Sequence, residues 1–402
     1  MQTAEARLQD ADHILVAPST VTDRDTRGDF FGSVITPGEL ASGAADLAGR
    51  TVYLCGDVST YAEHQLRPAA RVFVVRELSH GHPGPWPVVG LGRVPVRVHG
   101  AGVYYRRFFE PEADHFGRIL AEHEFQSLTE STKPGTAHRS GIYLTPVTRA
   151  GDALHFRLLR CSTNLSGPTE TFRPTDTEIV DALNREAATV FRGHAPLNHV
   201  LAQVYHNTLA TAERKQSKAR ISSHADKTKD MPADGVMAFC TFYQGLDRLH
   251  PLADDPFDLG VKRTSGLTRL DFRLKEPTAG PDGTALPARF GVTLYPGSVF
   301  FMPLSTNRLY THEIRPSTLD AGLLPTRLGY VVRCSDTEAV HRDGRTYLQR
   351  EGGPLELEPA TEEGMAELRR LYAEENRSTS PVDYGDRFLF SMNSGDYLAP
   401  RS

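Results

Sequence analysis

Six short segments in the second half of the chain limit its fold to a small set. Leu201–Tyr205, Val236–Tyr243, Thr268–Leu274, Phe290–Leu294, Val299–Pro303 and Leu328–Cys334 are rich in β-branched and aromatic residues and are separated by turn-forming stretches. Each predicts a strand, and several such strands at close intervals predict two packed sheets of the jelly-roll kind. Pro251–Gly260 and Glu276–Pro287 read as insertions between strands. The expected class is therefore α+β, with a jelly-roll (double-stranded β-helix) core, flanking helices and an N-terminal extension.

The rest of the chain divides around that core. Residues 1–100 alternate short apolar runs with turns and read as a small α/β or β-rich extension without assignable chemistry, with a Gly/Pro loop at Gly81–Pro87. Residues 101–350 hold the core, and residues 351–402 a final helix and a loosely ordered tail beyond Asn376. Helices are predicted over Glu112–Glu124, over Thr175–Phe191 with Thr177 as a possible cap, and over Thr361–Glu375. A polar loop is predicted over Gln126–Arg139, centred on Pro134-Gly135.

Bulk composition excludes several classes. The net charge of −5 argues against broad, non-specific DNA binding, which depends on basic surface. No apolar run approaches the roughly 20 residues that cross a bilayer, and Met1–Asp12 has no apolar signal region, so no membrane partner is expected. Cys55, Cys161, Cys240 and Cys334 are scattered and form no CxxC pair, which points to a reduced, cytoplasmic protein. In that setting the sequon Asn164-Leu165-Ser166 has no meaning.

The sharpest local pattern is Ser223-His224-Ala225-Asp226, ahead of an apolar strand. Two residues apart on an extended segment, His224 and Asp226 point to one side and can reach one metal ion. His312, in Leu309-Tyr310-Thr311-His312, is the best third ligand. Two His and one carboxylate on one face leave open positions, the arrangement of non-haem Fe(II) oxygenases; closed zinc sites use four protein ligands. The alternative is a surface His beside a solvated Asp in a basic loop.

Fifteen residues past His312 lies Arg327-Leu328-Gly329-Tyr330-Val331-Val332-Arg333. Arginines six apart on a strand share a face, and a guanidinium rising from an apolar sheet calls for an anion whose carboxylate its fork can match. A dicarboxylate co-substrate would supply one. An exposed edge strand with solvated Arg is the other reading.

Taken together, His224-Ala225-Asp226, His312 and Arg327-x5-Arg333 resemble the AlkB-like branch of the Fe(II)/2-oxoglutarate dioxygenases. A family strand of the form Leu-x-Asn-x-Tyr matches Leu201-Ala202-Gln203-Val204-Tyr205, with Gln in place of Asn. The resemblance spans roughly Val103 to Cys334. It departs in a longer stretch between Asp226 and His312, and in Gly329 where the pattern has Asn. It implies Fe(II) held by His224, Asp226 and His312, and 2-oxoglutarate held by Arg327, Arg333, Tyr205 and Gln203. It also implies consumption of O2 and decarboxylation of 2-oxoglutarate to succinate. With Asp226 rather than a small residue as ligand, hydroxylation or a hydroxylation-triggered outcome is expected rather than halogenation.

The substrate is less legible. The segment Glu213–Lys229 carries Arg214, Lys215, Lys218, Arg220, Lys227 and Lys229 beside the iron ligands. It reads as an anion-binding rim or as a solvated loop. Arg139, Tyr143 and Lys227 are candidate substrate contacts. His80, His82, His138 and His341 read as ordinary surface residues and Trp86 as packing. Three functions fit: an oxygenase of a small metabolite, favoured by the acidic balance and the insertions; an oxidative demethylase of nucleic-acid bases; or a binding module that keeps the barrel without chemistry.

Overall fold

The computed structural model describes residues 5–19, 21, 28–129, 136–160, 165–280, 283 and 285–402. Its core has eight strands: β1 His199–Tyr205, β2 Ile221–His224, β3 Val236–Gln244, β4 Arg269–Leu274, β5 Arg289–Thr293, β6 Val299–Pro303, β7 Tyr310–Arg315 and β8 Thr326–Arg333. Strands β6, β3, β8 and β1 lie side by side in that order within an eight-stranded sheet. Gly102–Tyr105 and Val96–Val98 extend it beyond β6, and Thr136–Leu144 and Gln126–Thr129 extend it beyond β1. Strands β2, β7, β4 and β5 form a second sheet in that order. The chain shuttles between the two sheets, with β1, β3, β6 and β8 in the large one and the others in the small one, and all their pairings are antiparallel.

The period-2 alternation of each strand explains how both faces of the large sheet are covered. Leu328, Tyr330 and Val332 of β8 turn outward into a core shared with Ile179, Leu183 and Ala187 of the helix α2 Pro174–Val190 and with Phe116 and Ile119 of α1 His115–Glu122. The opposite face meets the small sheet: Met237, Phe239, Phe300 and Met302 pack against Leu270, Phe272, Tyr310 and Ile314. Full burial of such side chains contributes about 1.5–3 kcal/mol each, enough to fix the register of both sheets.

The N-terminal extension is an α/β unit. His13–Val16, Ser33–Ile35, Thr51–Asp57, Arg71–His80 and Val88–Val89 form a five-stranded sheet whose pairings are all parallel. Ile14, Leu15, Val16, Val52, Tyr53 and Leu54 are all buried, as the continuous apolar runs of a parallel sheet covered on both faces require. Among the described residues no helix is long and apolar enough to cross a membrane.

Four sequence-based expectations change. The loop foreseen over Gln126–Arg139 is in its described part the arms of a hairpin, Gln126–Thr129 and Thr136–Leu144; Pro134-Gly135, like Cys161 and Asn164, lies outside the described residues. Its polar side chains hid a strand pairing that is stabilised by the backbone ladder to β1. Helix α2 is not capped by Thr177, which sits inside the first turn; instead the Asp176 carboxylate accepts the Arg173 backbone N–H at 2.7 Å. The tail beyond Asn376 is packed: Tyr384, Phe388 and Phe390 bury against Leu368, Leu371 and Tyr372 of α3 Glu362–Glu375. His341 is buried and shares a 3.0 Å hydrogen bond with Thr346 Oγ1, so it is not a surface residue.

Candidate metal centre

His224 ends β2 and His312 lies in the middle of β7, directly opposite it in the antiparallel register. The side chains of facing residues stand on the same side of the sheet, and the two rings lie 4.5 Å apart between centroids. Asp226 follows two residues after His224. Its Oδ1 lies 3.5 Å from His224 Nε2 and 3.9 Å from His312 Nε2, and the three ligand atoms all fall within 4.8 Å of one another.

The His224-Ala225-Asp226 segment is held rigidly. Asn307, 1% exposed, accepts the Asp226 N–H through Oδ1 at 2.8 Å and donates Nδ2 to the Asp226 carbonyl at 3.0 Å. Asn376 Oδ1 accepts the Ala225 N–H at 2.8 Å. His224 Nδ1 lies 2.9 Å from the Ser222 carbonyl, an acceptor that fixes the proton on Nδ1 and leaves the Nε2 lone pair facing Asp226. Burial pushes the His312 imidazole down to about 3, so the ring stays neutral and able to ligate at any physiological pH. The set fits a divalent ion: three neutral or anionic donors on one side, with ligand bonds of about 2.1 Å within reach of small side-chain rotations.

The second oxygen of Asp226 is engaged by Arg333, whose Nε and Nη2 donate to Oδ2 at 2.9 and 2.7 Å. Burial alone would raise the Asp226 carboxyl, but the Arg333 guanidinium, helped by His224 and His312, holds it well below the ordinary carboxylate range. Two of the Arg333 nitrogens thus brace Asp226, a partner that the spacing of Arg327 and Arg333 did not announce.

Arg327 is different. By register, the inner-facing side chains of β3, β8 and β1 form four rows across the floor of the large sheet: Tyr243–Arg327–Tyr205, Thr241–Gly329–Gln203, Phe239–Val331–Leu201 and Met237–Arg333–His199. Arg327 is 4% exposed, and its Nε and Nη1 have no hydrogen-bond partner among the described residues. Its guanidinium lies 4.5 Å over the Tyr205 ring. It also leans along the strand over Gly329, toward the triad: a Cβ at Gly329 would come within 2.9 Å of Arg327 Nη2. Gly329, where the family pattern has Asn, therefore makes room for the cation. Gln203 accepts from Tyr205 Oη at 3.3 Å and closes the same corner. A buried guanidinium without a counter-charge is strongly unfavourable unless an anion meets it.

The three candidate substrate contacts separate. Lys227 donates to the carbonyls of Ala225 and Tyr372 and to Asn376 Oδ1, at 3.0, 3.1 and 2.7 Å. It ties α3 to the loop that carries His224 and Asp226. Tyr143 is buried with Leu128 and Leu165 and meets the His199 ring edge-on at 5.2 Å. Arg139 lies opposite Tyr205 in register, in the row farthest from the triad. Sequence reasoning missed Asn307, in the short helix Leu304–Leu309, and Asn376, at the end of α3, since a lone Asn in or after a helix carries no signal of what it will clasp.

No family model matches the chain, and no curated protein does. Solved structures similar to it include the non-haem α-ketoglutarate-dependent epimerase SnoN from nogalamycin biosynthesis, at 13% identity and TM-score 0.29 over 60% of this chain and 81% of that one. Another is a prolyl-4-hydroxylase from Pseudomonas putida, at 14% identity and TM-score 0.26, covering 57% and 91%. A third is the Fe(II)/α-ketoglutarate-dependent dioxygenase TqaL, at 10% identity and TM-score 0.25, covering 62% and 83%. Likeness at this level carries no argument about chemistry, which rests on the geometry described above.

Proposed function

We propose that this chain is a non-haem Fe(II) oxygenase that consumes 2-oxoglutarate and O2 and oxidises a C–H bond of a small molecule. One observation carries the reading: between the two sheets a buried guanidinium, Arg327, without an ion-pair partner among the described residues, leans toward a His-Asp-His triad. The strand order, 6-3-8-1 in the large sheet and 2-7-4-5 in the small one, supports a jelly-roll core. The order HxD, distal His and R-x5-R supports the AlkB-like resemblance.

In this reading His224, Asp226 and His312 hold Fe(II), and the ion supplies O2 activation coupled to decarboxylation of the co-substrate. The residues of the chain provide the rest. Arg333 keeps Asp226 ionised and aims one oxygen at the ion. Asn307 and Asn376 fix the backbone that presents the ligands. Arg327, stacked on Tyr205, receives the distal carboxylate of 2-oxoglutarate, and Gly329 leaves the space between. The apolar floor of Phe239, Val331 and Leu201 excludes water.

A small-molecule substrate is favoured over nucleic acid because half of the basic rim is already engaged within the chain. Lys218 donates to the carbonyls of Ser317 and Leu319. Lys227 is bonded to α3, and Lys229 is paired with buried Asp230 at 3.2 Å. Of the six cations of that segment, Arg214, Lys215 and Arg220 remain for a ligand. The cytoplasmic reading is a proposal too, consistent with the burial of Cys55, Cys240 and Cys334.

The test is succinate release from 2-oxoglutarate by the Fe(II)-loaded protein, in uncoupled turnover and then against metabolite pools and methylated oligonucleotides. Turnover abolished by Asp226→Ala and stimulated by a metabolite fraction supports the proposal. Stimulation by methylated oligonucleotides alone would transfer it to base demethylation, and no turnover under any condition would refute the oxygenase.

A further inference from the structure

The outer face of the small sheet carries an arrangement that the metal centre does not use. Across β4 and β7, Arg269 faces Arg315 and Asp271 faces Glu313; across β4 and β5, Arg273 faces Arg289. Like charges directly opposite one another work against strand pairing, so each such pair calls for compensation. The first four charges cancel along each strand and on one diagonal. Asp271 lies 3.4 Å from Arg315 Nε and 3.6 Å from Arg269 Nε, and Glu313 pairs with Arg315.

Arg273 and Arg289 are both exposed, and among the described residues neither has an ion pair or a side-chain hydrogen bond. Facing residues on antiparallel strands have Cβ atoms about 5 Å apart, so both forks can reach one small group. Between them and the cancelled network lies Gly291. A Cβ there would come within 2.2 Å of Asp271 Oδ1 and 2.7 Å of Arg269 Nη2. The missing side chain lets Asp271 and Arg269 lie across β5 at that point, and the same face carries a groove of about 450 Å³ with Ser223 at its β2 edge. A strand-interior glycine commonly marks a place where something approaches the backbone closely.

We propose that this groove binds a phosphate group, either free or as the phosphomonoester of a small metabolite, with Arg273 and Arg289 taking the dianion. Two guanidiniums side by side carry two positive charges. A single carboxylate would leave one of them uncompensated, whereas a phosphate carries about −1.5 to −2 at neutral pH and accepts two Arg forks. Asp271 and Glu313, at the other end of the groove, accept from hydroxyls of an organic part. The site stands on the outer face of the sheet whose other strands bear His224 and His312, and it is independent of whether those residues hold a metal.

Isothermal titration of the full-length protein at low ionic strength, with inorganic phosphate and with glycerol 3-phosphate, tests this. The comparison variants are Arg273→Gln/Arg289→Gln and, with the same charge change on α3, Arg369→Gln/Arg370→Gln. Saturable binding weakened about tenfold or more in the first variant and unchanged in the second supports the site. Tighter binding of glycerol 3-phosphate supports it with a phosphomonoester as ligand, and equal affinity supports it with free phosphate. Equal weakening in both double variants, or no saturable binding to about 10 mM in a protein whose circular dichroism shows it folded, overturns it.

Discussion

Asp226 serves two partners with two oxygens: Oδ1 faces the histidines and Oδ2 is locked by Arg333. Removing the guanidinium would leave a buried carboxylate without compensation, a change that costs about 3–5 kcal/mol. Arg333→Met is therefore expected to lower the free energy of unfolding by about 3 kcal/mol or more in urea denaturation; a loss below about 1 kcal/mol would show that the pair is not buried as described. Gly329→Ala acts on the other cation. The added methyl pushes Arg327 away from its seat, so the KM for 2-oxoglutarate is expected to rise about tenfold or more while Fe(II) affinity stays unchanged. The convergence of His224, Asp226 and His312 was legible from residue type and spacing. The partner of Arg333 and the clasp of Asn307 were not legible, because both depend on which loops meet in space.

At the scale of elements, buried charged groups join pieces that the sequence leaves separate. His123, after α1, lies 2.7 Å from Asp176 Oδ2 at the start of α2 and 3.0 Å from Glu170 Oε2. Asp176 also accepts from Tyr330 of β8, and Glu170 from Arg401 near the C-terminus. Burial disfavours the charged imidazole, but the hydrogen bonds to Asp176 and Glu170 outweigh it and hold the His123 pKa above its ordinary value of 6.5. A raised folded-state value means that the stabilisation is full below pH 6.5 and fades as pH rises through the folded pKa. Denaturation midpoints measured from pH 6 to 9 are expected to show this decline in the native chain and a flatter profile in His123→Gln. The tail is equally joined: Arg160 donates to the carbonyls of Phe388 and Phe390 at 2.9 and 3.3 Å. Deletion of residues 377–402 strips those acceptors from a buried arginine, so a Tm lower by several degrees is expected. The strands of the core were legible because alternation and β-branched residues write them into the chain. The hairpin arms and the tail were not, since one is polar on its surface and the other is fixed by single aromatic anchors without a period.

For the molecule as a whole, the N-terminal α/β unit is attached to the core through a buried Glu186. Arg71 meets it at 2.9 Å and Tyr105 Oη at 2.7 Å, with Arg93 at 3.8 Å. The same unit buries His13, whose pKa burial lowers to about 4, and the core buries His199, lowered to about 3. A depressed imidazole opposes folding as pH falls below 6.5, because the unfolded chain then binds the proton more readily. Acidification toward pH 4 is thus expected to lower the unfolding free energy in urea titrations, with His13→Gln weakening the trend. The parallel pairing of this unit was not legible, because parallel register depends on crossovers rather than on local sequence, and Val96–Val98, placed by the sequence reading in the extension, pairs in the large sheet of the core.

One ion and one dicarboxylate are proposed to share the space between the two sheets. Crystals grown anaerobically with Fe(II) and 2-oxoglutarate, with diffraction recorded at the iron edge, test it directly. The anomalous peak is expected among His224 Nε2, Asp226 Oδ1 and His312 Nε2, with the distal carboxylate of 2-oxoglutarate on Arg327. A peak instead at Glu122, His123 and Asp176, the other group whose ligand atoms converge, or a dicarboxylate bound away from Arg327, would contradict it.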